Sequence, residues 1–207
     1  MKTAIVLGKG TLAINVAASM LPNGSGYKLV GIVPVLPAPM WCEDFWSWAK
    51  WAGTGVACYE HHNDIPDVDL VVSAQYDKIL KRDFLERHGK VVNIHFSPLP
   101  RYRGVRPINW ALKNGEIEHG VTIHEVDEDI DTGPIIAQVK FSIFHEMEVR
   151  DVYAACIAHG TQLWLSTLPL IDVIEADPQE WYSEEPSYYG KDDIKDLGNR
   201  GGWTREA

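Results

Sequence analysis

Cysteine is scarce in this 207-residue chain: Cys42, Cys58 and Cys156 are widely spaced, and no Cys-x-x-Cys pair occurs. That pattern argues against a disulfide framework or a zinc ribbon and fits a reducing compartment, so a cytoplasmic location is expected. Basic residues are also few, with 19 Lys and Arg against 29 Asp and Glu and a formal net charge of −10. Nonspecific nucleic-acid binding relies on Lys and Arg at phosphates, and a chain of this balance is a poor candidate for it. Apolar runs are short. None reaches the ~18 residues of a membrane-spanning helix, and the opening MKTAIVLGKG is too short for a signal-peptide core. No membrane association is expected. Gly-x-Ser-x-Gly is missing as well, which removes the nucleophile elbow of a serine hydrolase.

What remains is an ordinary globular composition, 45% hydrophobic and 23% charged, in a length that suits one domain with a sizeable core or a domain plus a short tail. Residues 3–7 read as a strand, Gly8-Lys9-Gly10 as a glycine turn, and 11–21 as a helix with Thr11 as N-cap. A helix N-terminus behind such a turn favours an anion. Position 13 is Ala, so the full Gly-x-Gly-x-x-Gly is missing, and a plain tight turn is the competing reading. A loop is expected at 22–26, a second strand at 27–35, and a helix at 41–51 whose aromatic residues pack on a sheet. Short strands follow at 55–58 and 69–74. His61 and His62 lie between them, adjacent but without a further ligand at metal spacing, and are read as a solvated loop. No metal site is expected. Residues 81–88 and 107–114 read as helices, 90–92 as a buried strand, and 120–126 and 134–143 as strands. A long helix is expected over 147–166, with Val149, Val152, Tyr153, Cys156, Ile157, Gly160 and Trp164 as its buried stripe. Alternating β and α elements imply a Rossmann-like, mostly parallel twisted sheet with helices on both faces. The expected division is a domain over 1–180 and a short irregular tail over 181–207.

The chain is organised around residues 93–131. Asn93 and His95 stand two apart at the end of the predicted strand, so both face one side of the sheet. Asp131 closes an acidic loop just before Thr132-Gly133-Pro134. In open α/β sheets ligands sit beyond the carboxyl ends of strands. An amide can donate to a developing oxyanion, an imidazole can move a proton, and a carboxylate can orient that imidazole. With no protein nucleophile indicated, the trio suits direct attack of an amine on a carbonyl. A histidine bonded to a backbone carbonyl is the competing reading of His95 taken alone.

Asn93-Ile94-His95, Ser97-Pro98-Leu99-Pro100 and Tyr102-Arg103-Gly104 resemble the signature of the folate-dependent formyltransferase family. Gly120-Val121-Thr122-Ile123-His124 and Asp131-Thr132-Gly133-Pro134 resemble its next two blocks. The resemblance is dense over 91–138 and looser over the N-terminal part. It implies transfer of a formyl group from 10-formyltetrahydrofolate to an amine, with Asn93 holding the oxyanion, His95 assisting proton transfer, and Asp131 pairing with His95 and shuttling the proton. It also implies a folate loop at Asp127, Glu128, Asp129 and Ile130, and a second pterin-contacting segment at Asp77, Lys78, Ile79 and Leu80. Two positions depart from the family pattern: Pro98 replaces the usual Leu, and Val105 stands where sugar-type members carry an Arg, with Arg106 one residue on.

Arg101, Arg103 and Arg106 form a basic cluster in an acidic chain. Surface salt bridging is one reading; a phosphate grip, shared with Gly8, Lys9 and Gly10, is the other. Methionyl-tRNA formyltransferases carry an additional C-terminal barrel, and the tail of about 25 residues here is too short to close a core of its own; no nucleic-acid partner is expected. Pro107-Ile108-Asn109-Trp110 and the tail Tyr188-Tyr189-Gly190-Lys191 resemble the amino-sugar branch, which implies a nucleotide-linked amino sugar as the acceptor. A glycinamide ribonucleotide-type enzyme, a formyltetrahydrofolate hydrolase and a catalytically silent Rossmann-like binding module are the alternatives. The oligomeric state is open, a homodimer included.

Overall fold

The structure, a computed structural model, describes residues 1–21, 26–51, 53 and 55–197. The loop expected at 22–26 lies, apart from Gly26, outside the described residues, as does the end of the tail. In chain order the elements are β1 (Lys2–Gly8), α1 (Gly10–Ser19), β2 (Tyr27–Pro34), α2 (Phe45–Trp51), β3 (Ala57–Cys58), β4 (Leu70–Ala74), α3 (Arg82–Arg87) and β5 (Lys90–His95). Then come β6 (Arg103–Gly104), α4 (Pro107–Lys113), β7 (Glu118–Glu125), β8 (Ile135–Ser142), α5 (Val149–Thr167) and β9 (Tyr188–Tyr189).

Seven strands form one sheet in the order β3-β2-β1-β4-β5-β7-β8. Pairings from β3 through β5 are parallel, while β5–β7 and β7–β8 are antiparallel. The mostly parallel α/β architecture is therefore as expected. Strand periodicity divides the core. Ala4 and Val6 of β1 face a large cluster with Leu12 and Val16 of α1 and Val152, Cys156 and Trp164 of α5. Ile5 and Leu7 face a second cluster with Val71 of β4 and Phe84 of α3. Buried on both faces, these strands carry no polar residue between Ala4 and Leu7. The chain winds outward from β1 to β2 and β3 and then crosses back to β4. The strand order thus reverses beside β1, where α/β sheets open a crevice.

Local chemistry moves several boundaries. The helix expected from 41 starts at Phe45, because the Asp44 side chain accepts from Trp46 N at 3.0 Å and from the Ser47 hydroxyl at 2.6 Å. Phe45 and Ala49 are buried and Trp48 stacks on Phe45, whereas Trp51 is 88% exposed. The helix α1 begins one residue before the expected cap, and Thr11 donates to Glu43 instead of capping. On α5, Glu148 and Asp151 form a reciprocal capping box that sets the start at Val149. His62 is buried, not solvated: its Nδ1 lies 3.0 Å from the Tyr76 hydroxyl, and burial pushes its pKa down to about 4. Among the described residues no group of three His, Cys, Asp or Glu could hold a metal ion, and no helix is long and apolar enough to cross a membrane.

The stretch after residue 181 is more ordered than an irregular tail. Its β9 pairs in parallel with β6, and Leu197, Ile194 and Tyr189 pack on Tyr102, Trp110 and Ala111. Tyr189 stacks between Trp110, at 4.2 Å, and Tyr102, at 5.8 Å.

Candidate active site

A cleft of about 760 Å³ lies beyond the carboxyl ends of β1, β4 and β5. Asn93 and His95 reach it from β5, with Ile94 between them in the core. Asp131 arrives from the loop joining β7 to β8, held at φ +56 in the left-handed region. Antiparallel pairing sets Asn93 opposite His124 and carries the end of β7 to Val91, so the β7–β8 connection folds back along β5 to bring Asp131 to Asn93 and His95.

The carboxylate of Asp131 is the hub. Its Oδ2 lies 3.5 Å from His95 Nδ1 and accepts from Gly104 N at 2.9 Å. Its Oδ1 lies 3.6 Å from His124 Nε2 and accepts from Asn93 Nδ2 at 3.4 Å. Burial alone would raise this carboxyl, but the facing His95 and His124 and the Gly104 N–H outweigh it and hold the group well below the usual carboxylate range. His95 Nε2 donates to the Tyr102 carbonyl at 2.9 Å, which fixes the ring and leaves Nδ1 toward Asp131. His124 Nδ1 donates to the Glu125 carbonyl at 2.8 Å, which leaves Nε2 facing Asn93 Nδ2 at 3.2 Å and Asp131 Oδ1 at 3.6 Å.

The backbone around this hub is held in unusual conformations. Four described non-glycine residues have positive φ, namely Gln75, Tyr102, Arg106 and Asp131. Three of them line the cleft, and the fourth supplies the carbonyl that holds His95. Such conformations persist only where surrounding contacts fix them, and they concentrate at functional sites. Gly133 has a close-approach role: a Cβ there would lie 1.8 Å from the Glu125 carbonyl oxygen. Gly104 has φ +91, and its Cβ would lie 2.1 Å from the Tyr189 oxygen. Gly104→Ala should therefore push β9 off β6 and disturb the N–H that Asp131 accepts. A loss of roughly 1–3 kcal/mol in denaturant unfolding is expected, with a weaker near-ultraviolet dichroism from the Trp110–Tyr189 stack. A fully native spectrum and midpoint would contradict that account.

All three residues read as catalytic meet in the cleft, and so do Asp77, Lys78, Ile79, Leu80, Asp127, Glu128, Asp129 and Ile130 along its walls. The basic set separates. Lys9 and Arg106 line the cleft; Gly8, Gly10, Arg101 and Arg103 do not. Arg101 is bound to Glu116, which also accepts from the Tyr102 hydroxyl. Arg103 donates from Nε and Nη2 to Gln179 Oε1 at 3.0 and 2.5 Å. Both guanidinium groups are committed to partners within the protein, and of the residues read as a phosphate grip Lys9 and Arg106 line the cleft. Residues that sequence reasoning left unassigned also belong here. His124 ends the Gly120–His124 motif, and its contact with Asn93 depends on strand register. Tyr188 and Lys191 line the cleft from the C-terminal stretch.

An open α/β sheet with an Asn, His and Asp set converging at its switch-point crevice defines the class of a small-molecule group-transfer or ligand-binding domain. A formyl transferase family model matches residues 60–168, more than half of the chain, and the protein belongs to that family. The methionyl-tRNA formyltransferase of Thermosynechococcus vestitus is 41% identical over 113 residues, covering 54% of this chain and 34% of the relative. The phosphoribosylglycinamide formyltransferase of Haemophilus influenzae is 46% identical over 88 residues, covering 42% of each. The chain thus spans between a third and a half of the length of these curated relatives. Among solved structures, WlaRD, a sugar 3N-formyl transferase crystallised with dTDP and 5-N-formyl-THF, superposes with a TM-score of 0.81 at 26% identity, over 94% of this chain and 71% of that one. The N-formyltransferase of Helicobacter canadensis, in complex with folinic acid and dTDP-3-aminofucose, gives 0.78 at 25% identity, over 94% and 72%.

Proposed function

We propose that the protein transfers a formyl group from 10-formyltetrahydrofolate to the amine of a nucleotide-linked amino sugar. The observation that carries this reading is the convergence of Asn93, His95 and Asp131 on one cleft. The structural likeness to sugar N-formyltransferases over 94% of the chain supports the choice of acceptor.

The cleft suits the donor. Leu80, Val126 and Ile130 give part of its lining an apolar character, while the loop at 127–131 offers backbone polar groups to a pterin edge. Thr132 closes that loop by donating to Asp127 at 2.7 Å, so its shape is set before ligand arrives. In the reaction, the amine nitrogen of the acceptor attacks the formyl carbon. The carbonyl electron pair moves onto oxygen, and Asn93 Nδ2 donates to that oxyanion. The two bonds Asn93 makes at rest are long, 3.2 and 3.4 Å, and are readily exchanged for a stronger one to an anion. Asp131, ionised and next to His95, takes up the proton that the attacking nitrogen releases, directly or through water. Asp131 passes that proton to His95 Nδ1, which gives it to the nitrogen of the leaving tetrahydrofolate as the tetrahedral centre collapses. Lys9 and Arg106 supply positive charge to the diphosphate of the acceptor.

A second reading is transfer to glycinamide ribonucleotide, favoured by the 46% identity over 88 residues to the Haemophilus influenzae enzyme. One assay separates them. Tetrahydrofolate release is followed after adding each of a panel of dTDP- and UDP-linked amino sugars, glycinamide ribonucleotide, or no amine. Turnover with an amino-sugar nucleotide is expected. Turnover with glycinamide ribonucleotide alone would replace the acceptor, and release without any amine would turn the reading to hydrolysis.

A further inference from the structure

Gln179 does not line the cleft, yet it is tied to the loop that carries Asp131. It is 4% exposed and lies 48 residues beyond Asp131 in the chain. Its Nε2 donates to the Asp131 carbonyl at 2.9 Å and to the Gly133 carbonyl at 2.8 Å. Its Oε1 accepts from Arg103 Nε and Nη2 at 3.0 and 2.5 Å. Both amide hydrogens are used and the oxygen accepts twice, so the side chain has one orientation that satisfies every group. Its backbone is anchored close by: Ile135 N donates to Asp177 O and Asp177 N to Ile135 O, both at 2.8 Å.

These bonds join the two segments that meet at Asp131. One is the backbone of residues 131–133, where Asp131 has its left-handed φ. The other is β6, where Arg103 precedes the Gly104 N–H that Asp131 Oδ2 accepts. A non-glycine residue stays in that region only when its surroundings over-determine it. Asp131 itself cannot do so, because its carboxylate is engaged with His95, Asn93, His124 and Gly104.

We propose that Gln179 is a positioning residue for the transfer, fixing the left-handed turn at Asp131 and, through Arg103, the N–H that aims its carboxylate at His95. This rests on the formyl-transfer reading above. It also gives Arg103 a different task from gripping phosphate.

The informative substitution is Gln179→Glu. It keeps the shape and the Arg103 partner but replaces both donated bonds with repulsion toward two carbonyls. A role limited to packing would survive it. Gln179→Leu removes all four bonds. In both variants kcat should fall about 10- to 100-fold with the folate KM little changed, as a misplaced catalytic group predicts. The acid limb of the kcat profile should move to higher pH as the Asp131 carboxyl relaxes toward its ordinary value. The same change should be read without substrate by carbon-13 NMR titration of the Asp131 carboxyl, assigned by its loss in Asp131→Asn. An upward shift in Gln179→Leu, which adds no charge of its own, supports the positioning role even if no amine is found to accept a formyl group, in which case only the transfer reading fails. An unmoved titration with unchanged kcat overturns the positioning role. If both Gln179 variants fail to fold, Arg103→Lys, which keeps the charge but not the forked pair of bonds, reads the same titration: an upward shift supports the role and none overturns it.

Discussion

Asp131→Asn should cut turnover by about 10²- to 10⁴-fold, the range lost with a positioned acid–base group, while tetrahydrofolate binding measured by fluorescence titration stays close to wild type. The amide is nearly isosteric and can still accept from Gly104 N, so the loop should hold its shape. It cannot take a proton from an attacking amine, and it removes the charge that faces His95. Turnover within a fewfold of wild type would remove Asp131 from the chemistry. The same variant carries a stability signature whose sign follows from the depressed carboxyl. A group with a lower pKa folded than unfolded adds stability above its unfolded value, near 3.9 for Asp, and loses it as pH falls toward the folded value. Urea midpoints for wild type and variant should therefore differ at neutral pH and converge on acidification below about pH 4. A difference that stays constant from pH 7 to pH 2 would mean that the carboxyl is not held by its neighbours.

His95→Ala carries the second large effect, again about 10²- to 10⁴-fold in kcat. The ring is 7% exposed and makes two contacts, to the Tyr102 carbonyl and to Asp131. Alanine takes this donor from the Tyr102 carbonyl, removes one of the contacts of Asp131 and opens a small cavity, so a structural explanation must be separated from a chemical one. His95→Gln does this. Its amide can donate to the Tyr102 carbonyl in place of Nε2, and it has no group that titrates near neutrality. The Gln variant should unfold close to wild type and still lose most of the turnover, whereas added imidazole should partly restore His95→Ala. Recovery of activity in His95→Gln would assign the ring a purely structural task. Combined with Asp131→Asn, either variant should lose far less than the product of the single losses, because the two residues act as a unit.

The convergence of Asn93, His95 and Asp131 was legible because two of the three follow a rule of local geometry. Side chains two apart on a strand share a face, so Asn93 and His95 had to point together. The glycine and proline frame around Asp131, with the motif resemblance, marked the third. The cleft walls at 77–80 and 127–130 were expected only through the family resemblance, and the structure places both along the cleft. Arg101 and Arg103 show where such reasoning stops. Their nearness in sequence suggested one charged patch, but long side chains take the partners that folding brings within reach. Glu116 lies 15 residues from Arg101, and Gln179 lies 76 residues from Arg103. The His62 environment and the helix start at Phe45 differ from expectation on similar grounds, burial by Tyr76 and Phe84 in one case and a cap at Asp44 in the other.

By itself the sequence determined the alternation of strands and helices, the faces those elements bury, and the end of the sheet at which polar groups gather. Each follows from periodicity and steric preference over a few residues. Only the tertiary structure decided that His124 stands opposite Asn93, that Tyr189 packs between Tyr102 and Trp110, and that Gln179 holds the turn at Asp131. Those contacts depend on strand register and on chain segments meeting across tens of residues, and no local pattern encodes which distant group will arrive.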